Sequence, residues 1–375
     1  MSDPLYIVDH AALVAFCARL ERCSWLALDT EFVREQTFYP QLCLIQIAIP
    51  GQVACLDPLT LPSLDPLLDK LYDPTITKVL HAAYQDLELF FHLRGTVPAP
   101  VFDTQLAALV LGAGDQLGYA ALVKQALGVE LAKAHTRADW RQRPLPPEWL
   151  AYAADDVRYL EALYTRQLAR LRERGWSEAL AEDFQALTDP ERYRPQPQEA
   201  WRRIREQHRL RGLPLAVLRS LTAWREEQAI QQDRPRRWIL DDAVLVELAR
   251  RMPVTAAELQ PVRGLSAAFR RQHDAALLSR IAAARTEPPE RWPAQPRRPR
   301  LSAEQTARAN QLRELIGSRA AHYQIAPGAL ADRRDIESLV LGEESRLRRG
   351  WRAAVLGKET LARIAAAPPS SAHTA

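Results

Sequence analysis

The chain has 375 residues, 47% of them hydrophobic, and its 50 basic and 46 acidic side chains leave a net charge of +4. That length exceeds one ordinary domain, and the apolar fraction excludes a wholly disordered chain. No apolar run approaches the roughly 20 residues of a membrane span. The longest clean run, Leu42 to Ile49, is strand length and is interrupted by Gln46. The stretch Met1 to Val8 has no basic start and no long apolar segment, so no secretory signal is expected. Cys17, Cys23, Cys43 and Cys55 show no Cys-x-x-Cys spacing. A disulfide or zinc framework is therefore not expected, and a cytoplasmic location is.

The charge is unevenly placed. Residues 1–190 carry 16 Lys+Arg and 25 Asp+Glu, a net −9; residues 191–375 carry 34 and 21, a net +13. A basic half points to a polyanion, most often nucleic acid. Only five of the basic residues are Lys, so an arginine-biased composition would give the same surface. Charge alone does not choose between the two.

In chain order, short apolar runs predict strands at Leu5–Val8, Trp25–Thr30, Leu42–Ile49, Val53–Leu56, Thr77–Leu80 and Val101–Phe102. Helical patterns fall at 10–21, 63–71, 84–93, 104–111, 119–127, 147–171 and 176–187. Alternation of this kind reads as an α/β fold around one sheet. The second, third and fourth strands are joined too closely for helical crossovers, so the sheet is expected to be mixed. Residues Thr188–Gln198 read as a linker. Glu287–Arg300 holds five prolines and reads as a stiff spacer. The segments flanking that spacer look alike: a long helix (Pro214–Gln232; Thr306–Tyr323), a turn, then a shorter helix (Asp241–Arg251; Asp332–Leu341). Each ends in the same pentapeptide, Arg280–Ala284 and Arg363–Ala367. Two copies of a small all-α bundle are expected.

Three acidic patterns carry chemistry. Asp29-Thr-Glu31 closes a strand, where residues i and i+2 share a face, so two carboxylates point together. Tyr152 and Asp156 are i and i+4 on one helix face, while Asp155 lies about 100° away. Asp86 follows the strand ending before His81, in the first turns of the next helix. Each pattern alone is an ordinary surface feature. Together, Leu28-Asp-Thr-Glu-Phe32, His81 through Leu87 and Tyr152-x-x-x-Asp156 resemble the three motifs of the DEDD superfamily of 3′–5′ exonucleases, in its tyrosine subclass. Leu42–Ile47, Val101–Thr104 and Gly118–Leu122 fit the same pattern. Residues 201–284 resemble the HRDC fold, with 300–367 as a divergent second copy. The whole order resembles the bacterial ribonuclease D family.

The resemblance implies an RNase H-like mixed-sheet exonuclease domain at 1–188. After it come an HRDC domain at 197–285, a Pro-rich linker at 286–299, an HRDC-like domain at 300–368 and a tail at 369–375. It implies a 3′–5′ exoribonuclease that releases 5′-mononucleotides and trims 3′ extensions of precursor tRNA and other structured RNAs. Two divalent cations, Mg²⁺ or Mn²⁺, would be held by Asp29, Glu31, Asp86 and Asp156, since oxygen-only ligands suit those ions. Asp29 would bridge them and Tyr152 would orient the attacking water. No nucleotide cofactor and no membrane is expected. Two other readings stay open: a DNA exonuclease with the same site, and a non-catalytic RNA-binding protein. His81, Arg202, Arg203, Arg205, Arg236 and Arg237 are candidate substrate contacts. Trp201 and Trp238 could stack on bases, although core packing is the commoner use of such residues. Because the site lies within 1–188, catalysis is not expected to need the bundles.

Overall fold

The computed structural model describes residues 3–132, 138–294 and 300–365. All six expected strands form: β1 (Leu5–Ile7), β2 (Trp25–Val33), β3 (Gln41–Ile49), β4 (Gln52–Leu56), β5 (Thr77–Leu80) and β6 (Val101–Asp103). Their order among the described residues is β1-β4-β3-β2-β5-β6. β3 and β4 are antiparallel, joined by a tight turn at Gly51, whereas β1–β4, β2–β5 and β5–β6 are parallel. The sheet is mixed, as connection lengths require. β3 is covered on both faces and is buried from Cys43 to Ile49, which is why it reads as a continuous apolar run rather than an alternating one.

Helices α1 (His10–Leu20), α2 (Asp65–Leu71), α3 (Tyr84–Arg94), α4 (Thr104–Val110) and α5 (Tyr119–Leu127) lie close to their expected bounds. The pattern read as one helix over 147–171 is two, α6 (Pro147–Arg158) and α7 (Leu160–Glu173), followed by α8 (Ser177–Leu187). The break falls at Tyr159, which ends one helix and precedes the next with φ of −100° and ψ of −1°. Beyond them lie α9 (Gly212–Gln231), α10 (Arg236–Ile239), α11 (Asp242–Arg251), α12 (Ala256–Leu259) and α13 (Ala267–Thr286). The last group is α14 (Ala303–Tyr323), α15 (Pro327–Leu330), α16 (Arg333–Val340), α17 (Gly350–Leu356) and α18 (Lys358–Ala365). The order of a long helix, a single turn and a shorter helix recurs in α9–α11 and α14–α16. The end of the second pentapeptide, the middle of the Pro-rich spacer and the tail lie outside the described residues. No helix among the described residues is long and apolar enough to cross a membrane. All four cysteines are free thiols.

Packing divides the chain differently from the sequence pattern. One unit comprises the described residues of Met1–Val33, Leu42–Tyr193 and Pro299–Ala375; the other comprises those of Arg34–Gln41 and Arg194–Arg298. The segment after the spacer does not stand apart as its own bundle. α14 turns Ala309, Leu312, Ile316 and Ala320 into the same apolar core as Val110, Leu111, Trp176 and Leu180. α17 lies on α8, with Arg352 Nη1 donating to Asp183 Oδ1 at 3.0 Å and the Trp351 side chain fully buried. Two glycines permit the approach. A Cβ on Gly350 (φ +52°) would sit 2.7 Å from the Ala179 carbonyl oxygen, and one on Gly112 (φ +81°) 2.6 Å from that of Gln324.

The exonuclease segment is therefore not self-sufficient in its packing, against the expectation for a chain ending at residue 188. Trp351→Ala should destabilise the catalytic unit by about 3–5 kcal/mol, the usual cost of truncating a buried Trp. A chain ending at Thr188 should melt at a lower temperature than the full chain. Denaturant unfolding of the first and thermal melts of the second test both, and an unchanged melting temperature for the shortened chain would contradict the shared core.

Candidate active site

β2 points Asp29 and Glu31 to one face, and α6 brings Asp156 beside them. One carboxylate oxygen from each of the three lies within 4.8 Å of the others. Asp86, on the first turn of α3, is 6% exposed and stands behind this trio. Thr30, between the two strand acids, donates from Oγ1 to Asp86 Oδ1 at 2.5 Å. The middle residue of the strand motif thus fixes the acid of the second motif, a role its sequence position does not announce.

Burial raises every one of these acids, and repulsion within the cluster adds to it at Asp29 and Glu31. Burial first, then Asp86, Asp156 and Glu31, push Asp29 well above the ordinary carboxylate range. Glu31 is pushed up to about 8 by burial, Asp156 and Asp86. Asp86 and Asp156 are each pushed up to about 7, burial again being the main cause. Like charges held together favour protons or cations. The donor set is oxygen only, which suits a hard divalent ion better than zinc. The mouth of the cluster is open, since Asp29, Glu31 and Asp156 keep partial exposure.

Tyr152 shares the α6 face with Asp156. Its phenol is pushed up to about 12 by burial and by Asp156, Glu31 and Asp29, so it stays protonated at neutral pH and keeps its O–H as a donor. Its ring stacks on Trp140, centroids 6.4 Å apart. Asp155 turns away as the helix geometry requires: Arg158 Nε donates to its carboxylate at 2.8 Å.

The frame of the site uses residues to which the sequence assigned no role, although Asp103 and Tyr119 lie in the stretches Val101–Thr104 and Gly118–Leu122 that fit the family pattern. Asp103 accepts from Gln105 N and Leu106 N at the start of α4, and from Ala82 N and Ala83 N at the entry to α3. One buried carboxylate thereby caps two helix starts. Tyr119 donates to the Asp155 carbonyl at 2.9 Å and accepts from Tyr159 N, bracing the end of α6. The loop before α6 is held by Arg143, whose guanidinium grips both oxygens of Asp57 at 2.5 and 2.7 Å and donates to the Cys43 carbonyl at 2.7 Å. Tyr6 donates to the same Asp57 at 2.6 Å. For Asp57 and Arg143 the only hints were an aspartate after an apolar strand and an arginine before a proline.

His81 is placed otherwise than expected of a substrate contact. Nε2 faces the Leu117 carbonyl at 3.0 Å and so carries a proton, while Nδ1 faces Thr104 Oγ1 at 2.9 Å. Both ring nitrogens are engaged within the protein, and burial lowers the imidazole pKa. His81 ties the end of β5 to the loop entering α5.

The arginines of the bundle unit divide. Arg236 makes a bidentate pair with the buried Glu226, at 2.6 Å to each oxygen, and Arg203 reaches the same carboxylate at 3.6 Å. Arg202 pairs with Glu199 and lies over the Trp201 ring. Those three are partly committed to structure. Arg205 and Arg237 are exposed, with no ion pair to a described carboxylate. The tryptophans divide too: Trp201 is core, 2% exposed, but Trp238 is 61% exposed, against the expectation of packing.

The chain is similar to known proteins over most of its length. Residues 4–171 match the 3′-5′ exonuclease family and residues 215–281 the HRDC domain. The chain is 39% identical to the ribonuclease D of Gluconacetobacter diazotrophicus over 96% of its length and 92% of that protein's. It is 38% identical to that of Pseudomonas paraeruginosa, over 95% and 96%. Among solved structures it is similar to the RNase D of Escherichia coli, an exoribonuclease involved in structured RNA processing. There the TM-score is 0.81 at 32% identity, with 97% and 98% of the two chains covered.

The raised carboxylates fix a sign for pH dependence. Between about pH 4 and pH 8 the unfolded chain gives up these protons while the folded, metal-free protein retains them. The cluster therefore lowers metal-free stability progressively as pH rises through that window. Asp156→Asn should melt close to the wild type at pH 5 and above it at pH 8, in EDTA. A stability difference independent of pH would show that Asp156 is not held near its like-charged neighbours.

Proposed function

The chain belongs to the ribonuclease D family of 3′–5′ exoribonucleases, and on that premise we propose that Asp29, Glu31, Asp86 and Asp156 hold two divalent cations, Mg²⁺ or Mn²⁺, for hydrolysis of the terminal phosphodiester of RNA. The carrying observation is the trio of carboxylate oxygens within 4.8 Å, backed by a fourth, buried acid. Bound divalent ions would polarise the attacking water and offset charge on the phosphate and leaving oxygen. Asp29, with like-charged neighbours on several sides, is suited to a position shared by both ions. Glu31 and Asp156 serve one ion, and Asp86, with one oxygen taken by Thr30, supports the other less directly. Tyr152 orients the water by hydrogen bonding, because its phenol retains its proton.

We assign the substrate as RNA with a structured body and a 3′ extension, of which precursor tRNA is the leading example, acted on in the cytoplasm. The charge distribution supports this reading. Summed over the packing units, the catalytic unit has 28 basic and 33 acidic residues, a net −5; the bundle unit has 22 and 13, a net +9. Long-range attraction of a polyanion thus falls to the bundle unit. Arg205, Arg234, Arg237 and the exposed Trp238 supply phosphate contacts and a stacking face there. The segments 1–188, 197–285 and 300–368 are the functional domains on this reading, although packing joins the first and last.

Asp29→Ala or Asp156→Ala should abolish turnover in Mg²⁺ and Mn²⁺ without unfolding the protein. Tyr152→Phe should keep Mn²⁺ binding and lose about 10²–10⁴ in rate, whereas Asp155→Ala should stay near wild type. Release of 5′-mononucleotides from a 3′-extended tRNA and from matched single-stranded DNA measures these effects and the RNA preference together. Wild-type activity of Asp29→Ala in Mn²⁺ would overturn the assignment.

Binding has its own test. Arg205→Gln with Arg237→Gln should weaken affinity for the tRNA precursor and flatten log Kd against log salt by about 0.7–0.9 per lost phosphate contact. Trp238→Ala should weaken binding without altering that slope. Unchanged affinity in all of these variants would leave the bundle unit's arginines as solvated surface.

A further inference from the structure

A place on α6 is not enough to aim the Tyr152 hydroxyl. A tyrosine turns about two side-chain torsions, the second of which sets the plane of its ring. A phenol O–H prefers to lie in that plane. The chain supplies a face against which the ring can rest. Trp140, 4% exposed, stacks on Tyr152 with ring centres 6.4 Å apart and planes 28° from parallel. Trp149, one turn earlier on α6, meets the same indole edge to face at 5.5 Å. The indole thus packs against two aromatic side chains of the helix that carries Asp156.

The indole is anchored in turn. Trp140 belongs to the loop before α6, and its carbonyl accepts from Arg143 Nη1 at 2.7 Å. Every N–H of that guanidinium is used. Nη1 also donates to the Gln142 carbonyl, Nη2 to the Cys43 carbonyl and to Asp57 Oδ1, and Nε to Asp57 Oδ2. Cys43 lies on β3, and Asp57, fully buried, follows β4. The loop is therefore stitched to the sheet, in part by charge-assisted bonds, which are shorter and stronger than neutral ones. The contacts run in one line from the sheet to Arg143, to the Trp140 backbone, and through its indole to the Tyr152 ring.

We propose that Trp140 is a positioning residue for Tyr152: its indole sets the plane of the phenol ring, and so the direction of the O–H, while Arg143 and Asp57 hold the indole in place. Apolar burial alone asks only for a large side chain at position 140. A flat face on an anchored backbone fixes an orientation as well as a volume. Orientation is what a water-directing donor contributes, and misplacement of a reacting group by about 1 Å can lower a rate about 10²-fold. The inference rests on the reading of Tyr152 as the residue that orients the attacking water.

The test uses the full chain. The readouts are kcat and KM on a short single-stranded oligoribonucleotide, and Mn²⁺ binding followed by electron paramagnetic resonance without RNA. Trp140→Leu keeps an apolar side chain and removes the ring face; Trp140→Phe keeps a face. Trp140→Leu should lose about tenfold in kcat, with KM and Mn²⁺ affinity little changed, and Trp140→Phe should recover most of that loss. The deciding comparison is made in Tyr152→Phe, where no hydroxyl remains to be aimed. There Trp140→Leu should cost less than about twofold more, because residues that act through one group are not additive. Losses that multiply would make Trp140 a core residue only and overturn the proposal. Wild-type kcat in Trp140→Leu, or equal losses in Trp140→Leu and Trp140→Phe, would overturn it too. If Trp140→Leu does not fold, Arg143→Lys replaces it, keeping the charge but not the fork of bonds. The same loss in kcat, absent in the Tyr152→Phe background, is then expected, and multiplying losses again sink the proposal. If Tyr152→Phe itself turns over like the wild type, the reading of Tyr152 fails instead, independently of Trp140.

Discussion

Mutual repulsion among Asp29, Glu31, Asp86 and Asp156 is the constraint around which the catalytic unit is arranged. Four acids brought to one place oppose the fold that gathers them until protons or cations intervene. Their elements must therefore be held by other means. Asp103 anchors the entries to α3 and α4, Tyr119 braces the end of α6, and Arg143 with Asp57 fixes the loop that leads into α6. Asp57 is itself a buried carboxylate, yet its pKa lies below the ordinary value, because the hydrogen bonds and charge of Arg143 and the Tyr6 hydroxyl outweigh the burial that would raise it. The contrast separates an acid that the fold pairs with a cation from acids that it gathers with one another. Asp57 has its counter-ion within the chain; the cluster is built to take its own from solution.

The same contrast explains what Tyr152 can do. An anionic neighbourhood raises a phenol's pKa, so the residue facing the acids is held as a donor. Asp155, one position from a cluster acid, is removed from the chemistry by helix rotation and by its pair with Arg158. Identity of residue type matters less here than the face it occupies.

Local periodicity made much of this legible in the sequence. The i,i+2 rule placed Asp29 and Glu31 together, the i,i+4 rule placed Tyr152 with Asp156, and short connections required an antiparallel pair. What periodicity does not carry is pairing between distant residues. Thr30 with Asp86, and Arg143 with Asp57, are partnerships 56 and 86 residues apart, and neither member differs in type from an ordinary surface residue. The helix break at Tyr159 was hidden because both helices continue one apolar pattern. Trp201 and Trp238 sit beside similar arginine clusters, yet one is core and the other exposed. Neighbouring composition does not say which way a short helix turns its aromatic.

The segment boundaries were the least legible feature, and the reason bears on how the protein works. A linker marks where chain is extended, not where cores divide. The residues after the Pro-rich spacer complete the core under α8, while eight residues from the middle of the exonuclease segment belong to the bundle unit. Each unit is therefore assembled from separate stretches of chain, and the residues that follow β2 pack with the other unit. One of these units carries net positive charge and the other carries the acids. The chain passes from one unit to the other within a few residues of Glu31, so a boundary between cores falls inside the segment that the sequence reads as continuous.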